Sequence, residues 1–178
     1  MNAQPPSTNK RILVACIGNI FLGDDGFGVE VAQRLRHKQY PQGVEVVDFG
    51  IRGMDLAYTL LDNYDTLVLV DAMPRGGTPG TLYLIEPDIS QINPEQGVQA
   101  GRIALDAHSM DPVKVLAFAR TLGAKPVHTL VVGCEPAPFD AESGDMEWGL
   151  SEPVQAAVDE AVKMIDTLVE QLLVGNKT

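Results

Sequence analysis

Apolar positions fall along this chain in two alternating rhythms. Residues 11–17, 44–49, 66–70 and 127–133 are near-continuous apolar runs of strand length, the pattern of strands buried on both faces. Between them apolar residues recur at helical spacing over 27–37, 54–61 and 111–122, with Pro112 where a first helical residue belongs. Ser151, Glu152 and Pro153 open the clearest helix, in which Val154, Val158, Ala161, Val162, Ile165, Leu168, Val169 and Leu172 mark one face. Alternating strand and helix predicts right-handed crossovers. The expected fold is α/β: a three-layer α/β/α sandwich around a mainly parallel twisted sheet of about five strands, with helices on both faces. A fifth strand, 81–86, follows the third through a link containing Pro74, Gly76, Gly77, Pro79 and Gly80. So short a link predicts an antiparallel neighbour. Residues 87–107 are polar and irregular, too long for an idle connection, and predict a functional loop.

With 178 residues and 45% hydrophobic content, the chain can bury a full core. The expectation is one domain over 10–174, with flexible arms at 1–9 and 175–178. A net charge of −11 argues against nucleic acid, whose binding depends on clustered Lys and Arg. Cys16 and Cys134 both lie in apolar runs and read as buried core residues, which suits a reducing cytoplasm. The first ten residues are polar and no apolar run approaches membrane-spanning length, so neither export nor a membrane is expected.

Candidate chemistry changes the picture most at residues 17–29, where a strand passes through a glycine-rich turn into a helix carrying Asp24 and Asp25. A dinucleotide turn would read G-x-G-x-x-G and a P-loop would end in lysine; neither pattern is present. Two acids beside a helix start point to a cation, one of them capping the helix and the other free for the ion. In an open parallel sheet, ligands bind beyond the carboxyl ends of the strands. That rim collects Asn19, Asp24 and Asp25 after strand one, Asp48 and the turn 50–53 after strand two, and Asp71 after strand three. His108, just before the helix at 111, is placed to join them, whereas His37 ends a helix and His128 opens a strand at the opposite rim. Asp71 is either a turn acceptor or a ligand; His108 is either solvated or a ligand. Two carboxylates and an imidazole suit a borderline ion such as nickel or zinc, and such a site performs metal-assisted hydrolysis. H-E-x-x-H, G-x-S-x-G and an accessible cysteine nucleophile are all absent.

Gly18-Asn19-Ile20 with Asp24-Asp25-Gly26-Phe27-Gly28-Val29 resembles the opening of the [NiFe]-hydrogenase maturation endopeptidases. Asp48-Phe49-Gly50 with Gly53-Met54, Val70-Asp71-Ala72, Pro79-Gly80-Thr81, Asp106-Ala107-His108-Ser109 and Gly149-Leu150-Ser151 resemble later motifs of that family, in order, so the likeness spans 11–173. The resemblance implies metal-contacting, catalytic roles for Asp25, Asp71 and His108, with Asp25 where many members carry glutamate. Asp24 then caps the helix or supports its neighbour, and Asp48, Gly50 and Arg52 help recognise the substrate. The implied activity is removal of a C-terminal extension from the precursor of a [NiFe]-hydrogenase large subunit after nickel insertion, the nickel being presented by that precursor. Zinc or another divalent ion could occupy the isolated protein. Two alternatives are a flavodoxin-like module binding a nucleotide or other small anion at the glycine turn, and a zinc-dependent peptidase of broader specificity.

Overall fold

A computed structural model describes residues 10–93, 111–138 and 148–175. Five strands, β1 (Ile12–Ile17), β2 (Val44–Gly50), β3 (Thr66–Ala72), β4 (Leu82–Ile85) and β5 (His128–Cys134), form one sheet in the order β2-β1-β3-β5-β4. The pairings β1–β2, β1–β3 and β3–β5 are parallel. Four α-helices accompany them among the described residues: α1 (Phe27–Leu35), α2 (Gly53–Thr59), α3 (Pro112–Thr121) and α4 (Glu152–Val174).

Three of the four apolar runs form the central strands β1, β3 and β5, covered on both faces; the run 44–49, expected to be buried likewise, forms the edge strand β2, which has one sheet neighbour and is only partly buried. Along β1 the side chains alternate between two cores. Ile12, Val14 and Cys16 pack with Phe27, Val31 and Leu35 of α1 and with Val154, Val158, Ala161 and Ile165 of α4. Leu13, Ala15 and Ile17 pack with Leu56 and Ala57 of α2 and with Leu116, Ala117 and Ala119 of α3. This is the expected three-layer sandwich. Cys16 and Cys134 are unpaired core residues, as expected, and burial pushes the Cys134 thiol up to about 12.

The fifth strand differs from expectation in its neighbour. β4 is antiparallel, but it pairs with β5 (Leu82 opposite Cys134, Ile85 opposite Val131), not with β3. β3 pairs with β5 along its whole length, so the place beside β3 is taken by a strand that follows β4 in the chain. The hairpin-like link from β3 therefore reaches past β5 to the sheet edge. At the C-terminal end, Gly175 is tied in by the Lys10 ammonium, which donates to the carbonyls of Leu172 (3.0 Å) and Gly175 (3.5 Å). The remaining residues expected to be flexible, 1–9 and 176–178, lie outside the described residues, as do 94–107 of the predicted functional loop; the described part of that loop includes a 3₁₀ turn at Ile89–Gln91.

Strand lengths position the site. β3 pairs with β1 only as far as Val70 opposite Cys16, but continues against β5 through Ala72. Asp71 thus stands on a ledge just beyond the last β1–β3 pair, level with Ile17 at the end of β1. Between β1 and β2 the register slips, Cys16 facing Asp48 but Ile17 facing Gly50, and this irregularity bends the edge strand at the same rim.

Candidate active site

The turn after β1 is built on two glycines that permit close backbone approach. Gly18 has φ +148°, and a Cβ there would lie 2.1 Å from the Asp25 carbonyl oxygen. A Cβ at Gly28 would lie 2.1 Å from the carbonyl oxygen of Ile17 and 2.5 Å from that of Val70. The start of α1 is consequently pressed against the carboxyl ends of β1 and β3, which brings the preceding 3₁₀ turn, Gly23–Gly26, to the Asp71 ledge.

Asp25 accepts a hydrogen bond from the Asn19 amide (3.0 Å). Burial raises its pKa, and that bond only partly opposes the rise. Asp71 is pushed up to about 8, first by burial and then by the negative charge of Asp25, against a hydrogen bond from the Ala72 amide. The charge of Asp25 reaches Asp71 across the ledge and disfavours its ionisation. Such a pair is suited to a cation, which would relieve burial and mutual repulsion together. His108, the third residue of the set, lies outside the described residues, and among the described residues no group of three His, Cys, Asp or Glu is arranged to hold a metal ion.

Asp24 does not cap the helix. The side chain of neither Asp24 nor Asp25 makes a cap bond to α1, whose N-cap position is Gly26. Asp24 is buried and turns instead toward β5 and α4, accepting from the amides of Ala137 (2.8 Å) and Ser151 (2.7 Å) and from the Ser151 hydroxyl (2.8 Å). Ser151, at the N-cap position of α4, accordingly makes no cap bond of its own.

Asp48, Gly50 and Arg52 come together around a hollow of about 270 Å³ that Asn19, Ile20 and Phe21 also line. The Asp48 carboxylate accepts from the Gly50 amide (2.9 Å), which suits the left-handed Gly50 (φ +53°). Arg52 donates to the carbonyls of Phe49 (3.1 Å) and Asp48, bracing the turn. A larger cleft of about 890 Å³ has Leu22, Asp25, Ala72, Glu135 and Pro138 in its walls. Ile20, Phe21 and Leu22 form an exposed apolar ridge, and Trp148 meets Phe21 edge to face at 5.3 Å. Leu22 lines the larger cleft while Ile20 and Phe21 line the hollow.

Glu135 is the site-lining acid that the sequence reading passed over. It is 4% exposed and accepts from the amides of Arg75 (2.8 Å) and Gly76 (3.1 Å) and from the Tyr83 hydroxyl (2.7 Å), organising the loop after β3 into a cleft wall. Burial acts to raise its pKa, but the Tyr83 hydroxyl and the amides of residues 75–77 outweigh that and hold it below the usual range. Its signal was the one used for the other acids, a carboxylate directly after a strand.

The glycine turn offers little to a phosphate. The amides of Gly18, Asn19, Phe21, Leu22 and Asp25 already donate to Gly50, Asp25, Asn19, Asn19 and Leu22, respectively.

Fold and site together describe a mostly parallel α/β sheet with paired acids at its carboxyl rim, and comparison with known proteins makes the class definite. A family model for hydrogenase maturation proteases matches residues 29–168. Hydrogenase expression/formation protein HupD from Bradyrhizobium diazoefficiens is 30% identical over 161 residues, covering 89% of this chain and 80% of that protein. Among solved structures, the hydrogenase 2 maturation peptidase from Thaumarchaeota archaeon SCGC_AB-539-E09 is 31% identical with a TM-score of 0.65, covering 90% of this chain and 99% of that one. The hydrogenase maturating endopeptidase HybD from E. coli is 26% identical with a TM-score of 0.67, covering 90% and 93%. The chain belongs to the hydrogenase maturation protease family, and is therefore a hydrolase of peptide bonds.

Proposed function

We propose that this protein is the endopeptidase that removes the C-terminal extension from the nickel-loaded precursor of a [NiFe]-hydrogenase large subunit, with Asp25, Asp71 and His108 meeting the nickel that the precursor carries. The observation that supports this most is the juxtaposition of Asp25 and Asp71 on the ledge between β1 and β3, an exposed acid and a partly buried one without a basic partner among the described residues. In the free protein burial and the charge of Asp25 favour the protonated form of Asp71. A cation brought alongside favours the charged carboxylate, so docking of the loaded precursor releases that proton and leaves Asp71 able to ligate the ion or accept a proton from the attacking water. Nickel bound there would supply Lewis acidity toward the scissile carbonyl. A precursor without nickel offers no such trigger.

Asp48, Gly50 and Arg52 are proposed to recognise the segment next to the cleaved bond, because they share a hollow separated from the acidic cleft only by the apolar ridge. Among the described residues no helix is long and apolar enough to cross a membrane. A cytoplasmic setting fits the two unpaired cysteines. Purified protein mixed with nickel-loaded precursor should shorten it to the mature mass and leave nickel-free precursor intact. Cleavage of both, or of neither, refutes the nickel-dependent reading.

A further inference from the structure

Asp24 and Asp25 are neighbours in sequence but belong to different contacts, and the difference assigns Asp24 a task. Among the described residues the hydrogen bonds to its carboxylate come from chain segments 113 or 127 residues away: one oxygen accepts from the Ser151 amide, the other from the Ala137 amide and the Ser151 hydroxyl. Ion pairing plays no part among the described residues; two amide dipoles and a hydroxyl hold a side chain that is only 8% exposed.

The 3₁₀ turn carrying both acids is only four residues long, Gly23–Gly26, and begins with Gly23 in the left-handed region at φ +55°. So short a 3₁₀ turn has little stability of its own and successive side chains leave it about 120° apart. Whatever fixes one of these side chains fixes the rotation of the turn, and with it the direction of the next. Among the described residues the Asp25 carboxylate accepts only from the Asn19 amide. Its aim toward Asp71 is set from behind.

We propose that Asp24 is a positioning residue that clamps the turn to the end of β5 and the start of α4, and so holds Asp25 in reach of Asp71 and the scissile bond. The cleavage arm of the test rests on the activity proposed above; the exchange arm does not.

Asp24→Asn cannot satisfy the clamp, because whichever way the amide is turned its NH2 faces an N–H donor. Ser151→Ala removes one of the three bonds and leaves both backbone amides their acceptor. With nickel-loaded precursor, Asp24→Asn should lower kcat by about 10- to 100-fold with KM changed less than about threefold, since small misplacement of a reacting group acts on the bound state. Ser151→Ala should lower kcat by about three- to tenfold, and the double variant should be no slower than Asp24→Asn, as for two parts of one contact. Independently of catalysis, hydrogen exchange at the Asn19 amide, which donates to both the carbonyl and carboxylate of Asp25, should accelerate in Asp24→Asn while core amides of β1 stay protected. A lower Tm with unchanged kcat and unchanged Asn19 protection would show a merely structural role and overturn the proposal. So would a rise in KM alone. If Asp24→Asn does not fold, unchanged kcat and Asn19 exchange in Ser151→Ala overturn it. Wild-type protein that cleaves no precursor refutes the proposed activity and leaves the exchange result to decide on the clamp.

Discussion

The two rims of the sheet handle charge in opposite ways. At the amino end of the parallel strands, acids meet bases: Arg11 pairs with Glu45 at 3.1 Å and lies over the Tyr64 ring, its amide bonds Asp65, and His128 meets Glu86 at 2.7 Å. At the carboxyl end, Asp24, Asp25, Asp48, Asp71 and Glu135 have no ion pair among the described residues. They are held by amides and hydroxyls instead. Dipoles orient a carboxylate without cancelling its charge, so this rim stays electronegative in fixed geometry. One rim pairs its acids with bases within the chain; at the other, these five acids have no ion pair among the described residues.

Removing the acids of the carboxyl rim should therefore have the largest effect. Asp25→Ala, Asp71→Ala and His108→Ala should each reduce precursor cleavage by about a thousandfold or more, with the circular dichroism spectrum unchanged; substantial activity in any one removes that residue from the site. Gly28→Ala strikes the scaffold beneath, since its methyl would meet two strand carbonyls at 2.1 and 2.5 Å. It should lose on the order of 3 kcal/mol in urea denaturation, and a loss well under 1 kcal/mol would mean that α1 can lift off the sheet.

Asp71→Asn sharpens the contrast because it should stabilise the protein while inactivating it. Its carboxyl is pushed from the unfolded value near 4 up to about 8 in the folded protein. Below about pH 4 both states hold the proton and the group costs nothing. As pH rises from 4 to 8 only the unfolded state readily loses it, so native stability falls across that window. At pH 7.5 the variant should gain up to about 5 kcal/mol over wild type, and the gain should vanish near pH 4. A gain independent of pH would point to packing. The smallest effect belongs to the amino rim: Glu45→Gln should shift Tm by no more than about 2 °C and that shift should shrink in high salt, as for any exposed pair.

The same contrast explains what was legible in the sequence. β1 and β3 were read from their apolar runs because burial on both faces erases alternation locally. Asp25 and Asp71 were found because a carboxylate just beyond such a run is conspicuous, and the partnership of the three proposed recognition residues followed from one turn. The outer position of β4 was not legible, because β5 takes the place beside β3 through pairing that its local sequence does not announce. Nor was the bond from Asp24 to Ser151, which only the folded sheet brings together; read locally, Asp24 was a helix cap. Glu135 had the right address but stood next to a strand noted for its cysteine.

The ledge that carries Asp71 comes from strand length, and strand length changes only in whole steps. Adding or deleting one residue in β3 would move the acid by about 3.3 Å and turn it to the opposite face of the sheet. A site mounted on a loop can drift gradually as the loop grows or shrinks; this one has no small intermediate settings. Insertions and deletions in descendants of this chain should therefore collect anywhere before they touch the interval between Thr66 and Asp71.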